Sequence, residues 1–136
     1  MRTAPILAGA ALALAATAPL SAAARPRLTP DQQLQTALAG RVAGKPTMCI
    51  TPSSVSSTQV IDGTAILYRA GGKLYVNRPR TGASSLRSDD ILVTNINGAQ
   101  WCSIDTVRLV DRAGWFPRGF VALGDFVPYT RADRAR

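Results

Sequence analysis

Three aspartates, Asp62, Asp105 and Asp125, are the side chains of this sequence with the most obvious chemical potential. Two carboxylates in unlike surroundings can act as acid and base, because burial raises the pKa of one while the other stays ionised. The residue types that would support them are missing. The chain has no His, and all eight of its acids are Asp. This excludes Ser-His-Asp and Cys-His nucleophiles and any His ligand for zinc, and two cysteines cannot complete a four-Cys metal site. Local sequence also offers each Asp a structural use. Asp62 opens an Asp-Gly turn and Asp125 closes a Gly-Asp turn. Asp105 falls in an expected strand beside Ser103 and Thr106, where an ion pair with an Arg would hold it. Asp89-Asp90 reads as a polar strand entry, with too few oxygens for calcium. We expect no catalytic residue, no metal site and no cofactor. A small hydrolase working through Asp is the weakest alternative.

The second candidate chemistry is anion binding. Sixteen Lys and Arg against eight acids give a net charge of +8. Arg69, Lys73, Arg78, Arg80 and Arg87 are the candidate residues, the last three in a loop rich in Pro, Gly and Ser. Guanidinium forks bind phosphate or carboxylate bidentately, and a Gly/Ser loop adds donors. The competing reading is a flexible, solvated loop. The loop lacks the pattern of a nucleotide-binding P-loop. Tyr68, Tyr75, Trp101 and Trp115 are interleaved with these bases, a pattern that can stack single-stranded nucleic acid. The third candidate is Trp115-Phe116, two large aromatics in a turn-like setting that suit a protein partner or fold back on the core.

The amino terminus decides among the anions. Met1-Arg2 is followed by an uncharged apolar run, Ile6 to Ala16, and by the small residues Ala22-Ala23-Ala24 before Arg25. This is the layout of a secretory signal peptide cleaved after Ala23 or Ala24. The run is shorter than the roughly 20 residues of a membrane span, and no Cys stands at the cleavage point for a lipid anchor. We expect residues 1–24 to be the signal and the mature protein to reach the periplasm or the outside, with no stable membrane span. Export disfavours nucleic acid as the partner and favours an anionic envelope component or an acidic protein. It also changes Cys49 and Cys102. In an oxidising compartment two cysteines usually pair, so we expect one disulfide closing a loop of about 54 residues. Reduced core thiols and a redox role are the alternatives. No C-x-x-C motif supports the latter.

The elements follow from pattern. Thr29-Pro30-Asp31-Gln32 is a capped helix start, and Leu34, Leu38 and Val42 continue one apolar stripe. This predicts a helix over about 30–42, weakened or ended near Gly40 and Gly44. From Met48 the texture is short strands. Gln59-Val60-Ile61, Asp62-Gly63 and Thr64–Tyr68 predict a hairpin with a type I′ turn. Gly71-Gly72 predicts a second, pairing Tyr68 with Tyr75 and Leu67 with Val76. The strand between them is apolar on both faces, which places it inside a sheet. Asp90–Ile96, the turn Asn97-Gly98, and Ala99–Val110 predict a third hairpin. Phe120–Leu123 and Phe126–Tyr129 close the chain around Gly124-Asp125.

Several of these segments together resemble a family of small exported bacterial proteins that is a domain of unknown function. The segments are Cys49-Ile50, Ser57–Asp62, Thr64–Arg69, Gly72–Asn77, Gly98–Cys102 and Leu123–Tyr129. The likeness spans about residues 42–130 and implies a compact, exported, β-rich, Cys-containing domain. It implies no activity. The stretch Arg78–Asp90 has none of the extra cysteines common in that family. The expected architecture is a mainly β domain over 25–130, with strands over about 48–129. It is a small antiparallel sheet, curled or closed as a barrel, with one N-terminal amphipathic helix. An open sandwich-like sheet is the alternative, and 131–136 is a frayed basic tail. The expected function is a non-enzymatic periplasmic binding or accessory module for an anionic partner. The alternative is an inhibitor or chaperone-like module docking through Trp115 and Phe116.

Overall fold

A computed structural model describes residues 24–96 and 98–134. The expected signal sequence up to Ala23, Asn97 of the expected Asn-Gly turn, and the last two residues lie outside the described residues. The chain is mainly β, with antiparallel pairing throughout and one α-helix. Among the described residues no helix is long and apolar enough to cross a membrane.

Helix α1 spans Pro30–Leu38. Its start is the expected capping box: the Thr29 hydroxyl accepts the Gln32 N–H at 3.2 Å, and the Gln32 side chain accepts the Thr29 N–H at 2.9 Å. Satisfying two orphan donors at once anchors the first turn. The helix stops earlier than the 30–42 expected. Ala39 leaves helical geometry, Gly40 turns with φ 69°, and Arg41–Ala43 forms strand β1. Val42 therefore does not extend the helical stripe. It pairs with Thr130 and is half exposed. Ladder hydrogen bonds to the C-terminal strand replace the helical ones that Gly40 interrupts.

The remaining strands are β2 (Cys49–Ile50), β3 (Val55–Ile61), β4 (Ala65–Ala70), β5 (Lys73–Asn77), β6 (Ile91–Thr94), β7 (Trp101–Cys102), β8 (Thr106–Val110), β9 (Pro117–Ala122) and β10 (Phe126–Arg131). They form three sheets: β1-β10-β5-β4-β3, β6-β8-β9, and the two-residue ribbon β2-β7. Among the described residues no closed barrel forms. The β4–β5 hairpin has the predicted register, Tyr68 opposite Tyr75 and Leu67 opposite Val76, with positive φ at both Gly71 and Gly72. The β3–β4 hairpin forms too, but its ends pair as Ile61 and Ala65. Three residues make that loop instead of a two-residue type I′ turn. Gly63 has positive φ and Asp62 does not.

The hairpin expected at Asn97-Gly98 does not form, and the two closing strands do not pair with each other. β6 pairs with β8, while β7, just after Gly98, leaves to pair with β2. Phe120 and Phe126 flank Gly124-Asp125, yet their strands enter different sheets. The single strand expected from Ala99 to Val110 is broken at Ser103–Asp105. There the Asp105 carboxylate accepts the Cys102 N–H at 2.7 Å, and the Asp105 N–H returns to the Cys102 carbonyl at 2.9 Å. Arg131 is the last residue of β10, and Ala132–Arg134 is a 3-10 turn joined to the Gly40 carbonyl. The expected fraying at 131–136 therefore does not begin at Arg131.

Alternation along β4 sends residues to two cores. Ala65 and Leu67 meet Leu34, Ile61, Leu74 and Val76, with Leu38 of α1 against them. Ile66 and Tyr68 face the other way, toward Val107, Leu109, Val121, Leu123 and Phe126. The layers are thus α1, the five-stranded sheet, and the three-stranded sheet. The Cys49–Cys102 disulfide forms across the directly opposed pair of β2 and β7. Two-residue strands cannot hold together alone, so the cross-link fixes this ribbon. Its sequence separation is 53 residues, for which chain entropy gives roughly 4 kcal/mol. Replacing both cysteines with Ala should lower the unfolding free energy by about that amount in urea titrations. A loss below about 1 kcal/mol would show that the bond contributes little to the fold.

Candidate functional site

β3 and β6 are outer strands of their respective sheets. They flank a cavity of about 520 Å³. Thr58, Gln59 and Val60 line it from β3, and Ile91, Leu92 and Thr94 from β6. α1 contributes Gln33, and the β8–β9 turn contributes Arg112. Tyr68 and Trp101 complete the wall as two aromatic rings with centroids 5.6 Å apart and planes tilted by 50°. Each ring has a clear positioning element. Tyr68 is buried within β4 and also packs on Phe126, 5.7 Å away. Trp101 lies opposite Ile50 in the ribbon and is the immediate neighbour of the disulfide.

Two groups in this wall are buried without hydrogen-bond partners among the described residues: Trp101 Nε1 and both carboxylate oxygens of Asp90. Leaving such a group unpaired costs about 1–3 kcal/mol, so neither arrangement is neutral for the fold. Asp90 is compensated in charge. Its Oδ1 lies 3.4 Å from Arg118 Nε, with the Asp90 side chain 1% exposed and that of Arg118 20% exposed. The same Arg donates to the Ser85 carbonyl at 3.1 Å. Asp90 was expected to be part of a polar strand entry; it does stand directly before β6, and its side chain is a buried ionic partner. Its only sequence signal is its place directly before the apolar run Ile91-Leu92-Val93. The partner comes from β9, which no local pattern announces.

Two of the other candidate aspartates have structural partners. Asp62 accepts the Ser88 N–H at 2.6 Å and thereby ties the β3–β4 loop to the segment entering β6. Asp105 is buried, but instead of the expected ion pair with an Arg it makes a turn with Cys102, and no ion pair to it forms among the described residues. Asp125 is exposed ahead of β10.

The five anion-binding candidates are not drawn into one site. Arg69 continues the face of Ala65 and Leu67 toward α1, whereas Lys73 precedes Leu74 and so points to the opposite side of the sheet. Arg78 and Arg87 are exposed. The Arg80 guanidinium donates to the Leu123 carbonyl at 2.9 Å and the Ser103 carbonyl at 2.7 Å. Its fork holds protein backbone. The loop is also anchored by Leu86, 1% exposed, so the freely solvated reading of 78–87 does not hold. Trp115 and Phe116 stand at the tip of the β8–β9 hairpin, 74% and 54% exposed, with Trp115 at φ 56°. Phe120, on the same hairpin, is 63% exposed and adds an aromatic that the sequence reading had treated only as a strand residue.

No family model, curated protein or solved structure matches this chain.

Burial raises the pKa of the Tyr68 hydroxyl above its ordinary value near 10. The neutral form is favoured in the fold, so its contribution to stability is complete below pH 10 and is lost as pH rises beyond it. Urea midpoints should therefore fall between pH 8 and pH 11, and Tyr68→Phe should reduce that fall. An unchanged pH dependence in the variant would assign the alkaline loss to other groups.

Proposed function

We propose that this chain is an exported, non-enzymatic binding or accessory module whose basic surface engages an anionic envelope component or an acidic protein. The observation that carries the reading is the imbalance of charge and its pairing. There are sixteen bases and eight acids, yet a single ion pair, Arg118–Asp90, forms among the described residues. Most of the positive charge is left to act on solution or on a partner. Such a field raises association rates with anions and is screened by salt. Asp62 and Asp105 hold backbone N–H groups, which favours binding over acid–base catalysis as the reading of these carboxylates. Kinship with the exported family of unknown function belongs to the same proposal, as does cleavage of residues 1–24.

The mature chain should bind a lipopolysaccharide-type polyanion at low salt, and binding should weaken at least tenfold between about 50 and 200 mM salt. Absence of binding at low salt overturns the reading.

The exposed Trp115, Phe116 and Phe120 favour a second reading, docking of a protein partner through the β8–β9 hairpin. Exposed clustered aromatics are the residues that anchor such interfaces. A Trp115→Ala/Phe116→Ala variant should keep its circular dichroism spectrum and lose partner capture in crosslinking from its own compartment. Capture at the unaltered level would remove the hairpin from consideration.

A further inference from the structure

We propose that Arg41, Arg69, Arg131 and Arg134 form a phosphate-binding site at one end of the five-stranded sheet. This site gives the charge reading above a place and a chemistry, and it rests on that reading. Arg41 stands directly opposite Arg131 where β1 pairs with β10. Opposed residues of an antiparallel pair share a face, and like charges there repel. Tyr129, two residues before Arg131, packs with Leu34 and Leu74, so this is the face that carries α1. Arg69 shares it, because Arg69 opposes Leu74 and Leu74 opposes Tyr129. Arg134 follows in the 3-10 turn that is tied to the Gly40 carbonyl through the Ala132 N–H. Its Nη1 reaches the β4–β5 turn, 3.5 Å from where a Cβ on Gly72 would stand. Arg69, Arg131 and Arg134 are exposed and Arg41 is half-buried, so a ligand can reach all of them from solution.

The charge of this group is not neutralised among the described residues. None of the four arginines joins an ion pair there, where Arg118–Asp90 is the single one. Arg41 and Arg131 line a depression of about 510 Å³ together with Asp133, Ala37, Ala39 and Gly40. Asp133 is its one carboxylate. The C-terminal end of α1 borders the same depression and adds about half a negative charge. Both together leave an excess of positive charge over four guanidinium groups. The Arg41 guanidinium makes one long bond, 3.5 Å to the Tyr129 carbonyl, which steers it over β10. Phosphate suits this end. It carries more than one charge and several acceptors, and each guanidinium fork binds two of its oxygens at once. A phosphate between Arg41 and Arg131 relieves their repulsion. Other ligands suit it less. No aromatic ring lines the depression to stack a nucleic-acid base. Its alanines and glycine offer little apolar surface, and a metal cation would be repelled. A carboxylate of an acidic protein brings only one charge to the opposed pair.

The test uses the exported, oxidised protein at about 50 mM salt. The probes are pyrophosphate, phosphatidylcholine vesicles with and without phosphatidic acid, and a poly-aspartate peptide. Calorimetry reads affinity, and amide NMR shifts read place. We expect saturable binding of a phosphate probe, with shifts concentrated at Ala39–Val42 and Thr130–Arg134. Pyrophosphate and phosphatidic acid, each given alone, distinguish a soluble phosphate from a lipid headgroup as the source. Arg41→Gln/Arg131→Gln should weaken binding by about tenfold, and its urea midpoint should not fall, since the opposed charges are gone. Arg27→Gln/Arg108→Gln removes the same charge from exposed positions elsewhere and should weaken binding less than about twofold. Arg131→Gln alone, at an exposed position, keeps the comparison open if the first double variant loses stability, and it should weaken binding in the same direction. Asp133→Asn should tighten binding. An equal loss in the two double variants overturns the site and leaves the general charge reading standing. So does lipopolysaccharide binding at low salt when neither phosphate probe binds. Peptide binding with shifts at these residues, without phosphate binding, overturns the proposal and assigns the site to an acidic protein. Failure of every anion to bind, lipopolysaccharide included, overturns both readings.

Discussion

The two larger sheets meet along one short seam, and the rest of the architecture hangs on it. The Asn77 side chain, fully buried at the end of β5, donates to the Gly124 carbonyl at 2.6 Å and accepts the Gly124 N–H at 3.0 Å. A buried amide that exchanges both bonds with the backbone of one residue recovers much of its desolvation cost. Arg80 extends the seam with its backbone N–H to Ala122 and its guanidinium to Leu123. Residue 124 must be Gly, because a Cβ there would strike the Arg78 carbonyl oxygen. The chain passes from the three-stranded sheet to the five-stranded one at this point. Without the clamp, Leu123 and Phe126 would have no fixed relation in the shared core.

That seam sets the cavity indirectly. It holds the sheets so that one outer strand of each, β3 and β6, borders the same space. The Arg118–Asp90 pair then closes the β9 side, and Asp62 on the Ser88 N–H brings the β3–β4 loop to the start of β6. Burying a carboxylate and its partner is costly in desolvation, and removing one partner of such a pair costs about 3–5 kcal/mol. The pair therefore fixes β9 against the residue that enters β6.

The hairpin at Gly71-Gly72 was legible because period-two alternation and two glycines state one register together. The capping box at Thr29 was legible for the same reason: all its groups lie within four residues. What was not legible depends on distant partners. Val42 continued a helical period, and only β10 makes Arg41–Ala43 a strand. Ile104 looked like one more apolar strand residue, but it is 73% exposed because the Asp105 carboxylate bends the chain at Cys102. Arg80 and Asp90 looked like surface charges. Their environments come from Leu123, Ser103 and Arg118, which no local window contains. The anion-binding set failed as a constellation for a related reason: adjacent strands place Arg69 and Lys73 on opposite faces. The cavity borrows residues from four strands, a helix and the segments between them and has no signature along the chain.

The disulfide has a meaning beyond stability. It joins the residue next to Trp101 to the strand opposite, within a ribbon of two residues a side. With free thiols, that ribbon would retain little to keep the indole against Tyr68. One wall of the cavity is thus held by a bond that exists only once the two thiols have been oxidised.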